Sequence, residues 1–222
     1  LHAALPISVG MTRDYFMGTK PGQKADVNTP DYKDLHEYVG PAFGPFTKVL
    51  GFGDALLVAD DGRVLFGAAS GKEVGEDVKE GPLKNSSLAA AWRAAMKGEV
   101  AFADFAPYPP MGGEEVAFVA APVKNHTGTM IEAAAILRVP KEELARIMRQ
   151  GEGTGVSREF FLVGGNGGVR VAAAEGAAAA TPAGASVSRA LGGETGNLAE
   201  DGPAGETLTA FGPVRFGGVT FA

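Results

Sequence analysis

The sequence predicts an α+β fold built from two similar modules, and three observations carry that prediction. Glycine and proline are abundant, 33 and 14 of 222 residues, and such residues punctuate a chain into many short elements joined by tight turns. Runs with strand character outnumber runs with helical spacing. An order of hairpin, helix and three antiparallel strands occurs once before residue 150 and again after it, as a repeat of organisation and not of residues.

Each element has a local reason. Tyr32, Leu35, Tyr38 and Val39 fall at helical spacing, and Phe43, Phe46, Val49 and Leu50 suggest a second short helix. The run ALLVADDGRVLFG (55–67) holds two β-prone stretches around Asp61-Gly62, a strong hairpin signal. Asn85 or Ser86 can cap a helix whose apolar stripe is Leu88, Ala91, Trp92 and Ala95, with Gly98 placed to stop it. Strands are expected at 100–105, 115–123 and 129–139, the last two joined by a turn at 125–128. Pro140 opens a further helix through Leu144, Ile147 and Met148. In the second half, 160–173 reads as a hairpin, 186–191 as a short helix, and 195–200, 206–212 and 215–221 as three strands.

The expected organisation is therefore a first module over 9–150 and a second over 151–222. All ten lysines lie at or before Lys141, a shift in composition that supports the boundary. Residues 1–8 resemble the translation of a sequencing-adapter read and are expected to be a non-native leader, an ordinary N-terminal tail being the other reading.

Composition excludes several classes of function. Lys plus Arg is 20 against 26 for Asp plus Glu, a net charge of −6, so the basic footprint that binds nucleic acid is lacking. Hydrophobic residues at 45% and charged residues at 21% exclude disorder for most of the chain. Without cysteine there can be no disulfide, thiolate zinc site or cysteine nucleophile. His2, His36 and His126 show no metal-ligand spacing, so neither metal nor cofactor is expected. The glycines at 164–168 lie between two strands, where a dinucleotide fingerprint needs a helix. Ser86 and Ser87 lack a nucleophile-elbow context, and Asp60-Asp61 before Gly62 reads as a turn.

One region invites a binding role. VAFADFAPYPPMGGEEVAFVAAPV (100–123) places Phe102, Asp104, Phe105, Tyr108 and Phe118 around an irregular loop rich in proline and glycine. A carboxylate among aromatics is costly unless it is paired or meets a polar ligand. Two readings of Asp104 stand side by side: a cap on backbone amides of the loop at Tyr108, or a group facing a ligand. Trp92 is open between core and pocket wall.

The ordered pieces FGDALLVADDGRVLFG (52–67), Gly81-Pro82 with Ser86-Ser87-Leu88, DFAPY (104–108), AFVAAPV (117–123) and IMRQGEGTGVSREFFLVGGNG (147–167) together resemble the double Cache extracytoplasmic sensor domain of bacterial chemoreceptors, sensor kinases and membrane-bound cyclases. The chain departs from that pattern at Arg158-Glu159, at Val169-Arg170-Val171-Ala172, and at Gly81 to Asn85, where the amino-acid-sensing branch carries an Arg-x-Trp-Tyr stretch. The resemblance implies two tandem PAS-like Cache modules, each an antiparallel sheet flanked by helices, with the long N-terminal helix truncated. It implies a periplasmic, non-enzymatic ligand-binding domain of a transmembrane receptor, homodimeric at full length, whose membrane attachment lies in segments outside this chain. A small polar organic ligand would sit in the first, membrane-distal module against Phe102, Asp104, Tyr108 and Phe118, with Trp92 and Tyr15 as further candidates. The alternatives are a soluble enzyme using Asp104 with a glutamate such as Glu114, and a structural spacer that binds nothing.

Overall fold

The computed structural model describes residues 4–149, 159–174, 184–202 and 205–222, and the chain divides into two compact units, Leu1–Pro140 and Lys141–Ala222. The dividing line falls just before the helix that follows Pro140, so that helix goes with the second unit and does not close the first.

The first unit opens with helix α1 (Ala4–Tyr15), which begins inside the octet expected to be a leader. The buried residues Val9 and Thr12 and the adjoining Phe16 anchor it. Helix α2 (Pro30–Val39) follows with proline in its first turn, Thr29 accepting from the Tyr32 N–H as its cap. Helix α3 (Gly44–Lys48) is a single short turn. Strands β1 (Asp54–Ala59) and β2 (Val64–Gly67) form the expected hairpin, and its Gly62 has φ 97°, a backbone geometry that side chains disfavour. Helix α4 (Ser87–Ala95) starts at Ser86, whose hydroxyl accepts from the Ala89 N–H. Strands β3 (Ala101–Pro107), β4 (Glu115–Lys124) and β5 (Ile131–Val139) complete an antiparallel sheet in the order β2-β1-β5-β4-β3.

The sheet is buried on both faces. Leu56, Val58, Phe118, Ala120 and Ile136 point to the face covered by α4. Alternation sends Ala55, Leu57, Ala59, Ala133 and Ala135 to the other face, packed with residues of α1, α2 and α3. Trp92 packs on the α4 side and its indole N–H donates to the Ala59 carbonyl at 2.8 Å. Trp92→Phe keeps most of the buried ring but loses that bond. It is expected to cost about 1–2 kcal/mol, read from the urea unfolding midpoint by circular dichroism.

The second unit contains helix α5 (Lys141–Arg149), strands β6 (Glu159–Val163) and β7 (Val169–Ala174), helix α6 (Gly184–Leu191), and strands β8 (Gly196–Gly202), β9 (Gly205–Phe211), β10 (Val214–Phe216) and β11 (Val219–Phe221). The strands pair as three antiparallel hairpins, and Val163 exchanges backbone hydrogen bonds of 2.7 and 2.9 Å with Ala222. The single strand expected over 215–221 is instead the hairpin β10–β11. Gly217 and Gly218 at its centre have φ of 55° and 82°, the positive pair that a two-residue hairpin turn requires. The expected end of α5 near Gly151 lies outside the described residues.

Candidate functional site

A row of side chains crosses the α4 face of the first unit at one end of its sheet. Asp54 opposes Arg138 between β1 and β5, and Arg138 opposes Phe118 between β5 and β4. Directly opposed residues of antiparallel strands share a face, so all three point to the side where Phe118 packs. Tyr108 joins the row edge-to-face on Phe118, with ring centroids 5.1 Å apart. Glu73 arrives from the loop between β2 and α4.

The row is polar and deeply buried. Asp54 and Tyr108 are 0% exposed and Glu73 is 1% exposed. Asp54 uses one oxygen, Oδ1, to accept from the N–H groups of Ala55 at 2.7 Å and Ala69 at 2.9 Å. Its other oxygen, Oδ2, makes no hydrogen bond, nor do Glu73 Oε1 and Tyr108 Oη. Arg138 is turned to its own neighbours, donating to the Gly53 carbonyl at 2.7 Å and to Met111 Sδ at 3.1 Å. The Glu73 carboxylate folds over Gly71, where a methyl group would collide with it.

Burial dominates the titration of these groups. It pushes the Asp54 carboxyl up against the opposing pull of the Ala69 and Ala55 amides and of Arg138. It pushes Glu73 up as well, with the charge of Asp54 adding to the rise and Arg138 and Lys24 opposing it. The Tyr108 hydroxyl is raised by burial and then by Glu73. An acid raised in the folded state has its full stability below the unfolded carboxylate pKa and loses it as pH rises through the folded value. Glu73→Gln removes this penalty. Its stability is therefore expected to gain on wild type as pH climbs from 4 to 8, checked by urea unfolding at each pH. Parallel curves would refute the assignment.

The six residues singled out from sequence are divided by the fold. Tyr108, Phe118 and Trp92 meet in the core beneath α4; Trp92 bonds to Ala59, at the other end of β1 from Asp54. Phe102 opposes Val119 while Ala103 opposes Phe118, so Phe102 points to the opposite face. The register then shifts between Ala103 and Ala106, and this bulge sets Asp104 and Phe105 together against Ala117. Asp104 Oδ1 accepts from the Phe105 N–H at 2.7 Å, and the rings of Phe102 and Phe105 lie 6.4 Å apart. Tyr15, on α1, packs with Phe16 and Tyr32 and donates to the Asp26 carbonyl at 2.8 Å. Asp54, Glu73 and Arg138 have no mark in the sequence: Glu73 sits in a polar loop, and only the cross-strand register joins Asp54 and Arg138 to Phe118, on which Tyr108 packs.

A shallow cavity of about 100 Å³ opens elsewhere, between Thr19, Asp61, Arg63, Asp77 and Lys79. Its buried charges are engaged in holding the chain. Arg63 donates to the carbonyls of Gln23, Gly75 at 2.8 Å and Lys20 at 3.0 Å. Asp77 accepts from the amides of Gly22, Lys79 and Glu80 at 2.7, 2.7 and 3.0 Å. Among the described residues no group of acidic or histidine side chains could hold a metal ion, and no helix is long and apolar enough to cross a membrane.

The fold so described is that of the Cache sensor domains of bacterial chemoreceptors and histidine kinases. One solved structure that shares it is the ligand-binding domain of the Pseudomonas aeruginosa PAO1 amino acid chemoreceptor PctB in complex with L-Arg. It is 15% identical with a TM-score of 0.54, over 99% of this chain and 82% of that one. The corresponding domain of PctC from the same organism, in complex with GABA, is 16% identical with a TM-score of 0.51, over 99% and 86%. An extracellular ligand binding receptor from Desulfohalobium retbaense DSM5692 is 11% identical with a TM-score of 0.57; 99% of this chain covers 36% of that receptor. No family model matches the chain, and no curated protein matches it in sequence.

Proposed function

We propose that this chain is the extracytoplasmic small-molecule-sensing part of a membrane receptor of the chemoreceptor or sensor-kinase type, with each compact unit one Cache module, acting by binding and not by turnover. In this reading the α4 face of the first unit receives a small polar ligand at Asp54, Glu73 and Tyr108, with Phe118 as its apolar wall. The observation that carries the reading is the set of three buried oxygens without hydrogen-bond partners in one row, within a fold whose solved relatives hold ligands. Leaving buried polar groups unpaired costs about 1–3 kcal/mol each, so a ligand that supplies partners gains differential affinity for the state in which the row is closed over it. Such a difference shifts a two-state equilibrium of the covering loop and helices, which is all that signalling across a receptor requires.

The test is a thermal-shift screen of metabolites against wild type and Tyr108→Phe. A ligand at a hundred times its dissociation constant adds about 2.7 kcal/mol to stability. The reading predicts at least one such ligand whose effect is lost or reduced in the variant. Ligands that stabilise both proteins equally would move the site elsewhere.

A further inference from the structure

Resting on the reading above, we infer that the buried row of the first unit takes a small organic monocation carrying its charge on an N–H-bearing nitrogen, an alkylammonium or guanidinium group, and rejects zwitterions and anions. The inference follows from a count of charges and of free hydrogen-bonding atoms. Asp54 opposes Arg138 across the sheet, and the charges of Glu73, Glu76 and Lys24 also reach the row. Lys24 Nζ lies 3.3 Å from Glu76 Oε1, so those two neutralise each other. Two buried carboxyl groups then face one guanidinium, leaving the row one negative charge in excess when both are ionised.

The hydrogen-bond inventory points the same way. Asp54 Oδ2 and Glu73 Oε1 are pure acceptors when ionised, and Tyr108 Oη can accept as well. The guanidinium that could have received a carboxylate spends two of its five N–H groups on Gly53 and Met111. A ligand with two or three N–H groups and one positive charge could donate to these free oxygens and cancel the excess. A zwitterion would satisfy the oxygens but leave the excess in place, and an anion would double it. Without a cation, burial favours the protonated acids. A cation needs the ionised acids, so its affinity is expected to fall as pH falls towards their raised range.

The test is calorimetric titration of the whole chain at constant ionic strength with four probes: n-butylammonium, n-butyrate, n-butanol and glycine. The first three share one apolar tail and differ only in the head group. The expected result is that n-butylammonium binds at least tenfold more tightly than the other three. Heats measured in two buffers of different ionisation enthalpy would report proton release, with affinity falling about tenfold per pH unit where one proton is displaced. Glu73→Gln should weaken n-butylammonium by tenfold or more while the Trp92 emission stays native. Preference for n-butyrate, n-butanol or glycine, with the effect lost in Tyr108→Phe, would keep the site and overturn its charge class. Equal binding of n-butylammonium by Glu73→Gln would also overturn the charge class. Failure of all four probes, together with a blank metabolite screen, would overturn the site itself.

Discussion

Asp77→Ala is expected to remove about 3–5 kcal/mol from the stability of the first unit, as the loss of one member of a buried charged network typically does. The Asp77 carboxylate, 4% exposed, holds the N–H groups of Gly22, Lys79 and Glu80. Its strand-like bridge to Arg63 sets it beside a guanidinium that gathers three carbonyls, two of them from residues 20–23. Together the two side chains pin the segment after α1 to the β1–β2 hairpin. Alanine would strand three amides and remove a carboxylate whose charge acts together with that of Arg63. Asp77→Asn, which keeps one acceptor oxygen, should lose roughly 1–2 kcal/mol. Burial alone would raise the Asp77 carboxyl, but the Gly22, Glu80 and Lys79 amides and Arg63 together hold it below the usual carboxylate range. The stability it contributes is therefore present above the unfolded carboxylate pKa, about 3.9, and is lost as pH falls through the lower folded value. Urea unfolding followed by emission of Trp92, the single tryptophan, measures both effects. A loss under 1 kcal/mol for Asp77→Ala, or a gap between wild type and Asp77→Asn that does not narrow in acid, would show that the staple is not load-sharing.

Most of the first unit's elements were legible because local chemistry and tertiary packing agree there. The Asp61-Gly62 turn needs a positive φ and has a glycine to supply it. Ser86 caps α4 as its position before an apolar stripe implies. The strands β4 and β5 alternate as a buried sheet demands, and the turn between them is closed by Asn125, whose side chain accepts from the Thr129 and Met130 amides. In the second unit the hairpin at Gly217-Gly218 was hidden inside a β-prone run, because strand residues on both sides of a two-residue turn preserve the pattern.

The site was only half legible, and the reason lies in register. Tyr108 and Phe118 could be found from sequence because aromatics beside an irregular loop draw attention whatever the pairing. Asp104 is taken off the Phe118 face by plain alternation, since Ala103 opposes Phe118, and the bulge that follows brings Ala106 opposite Val116 and so turns Tyr108 onto that face. Asp54 and Arg138 are 84 residues apart in number and meet only because β1 lies between β2 and β5 in the sheet. Glu73 sits among charged loop residues with nothing in its neighbours to mark it as buried. A sequence alone contains no signal for such a cluster, since each member has an ordinary local context.

The clearest separation of site from core comes from two substitutions at one position. Tyr108→Phe is expected to leave stability unchanged or raise it by up to about 1–3 kcal/mol, since it removes a buried hydroxyl that has no partner. Tyr108→Ala should lower it by about 3–5 kcal/mol, because the ring is fully buried and stacks edge-to-face on Phe118. Opposite signs at a single residue are the mark of a side chain whose ring serves packing and whose hydroxyl serves something else. A hydroxyl retained at a cost to stability is what a binding site exhibits, where function sets the residue against the interest of the fold. Urea midpoints for the two variants decide the matter. If Tyr108→Phe is destabilised by more than 1 kcal/mol, its hydroxyl has a structural partner in solution, and the free oxygens of the row would then belong to the core and not to a ligand.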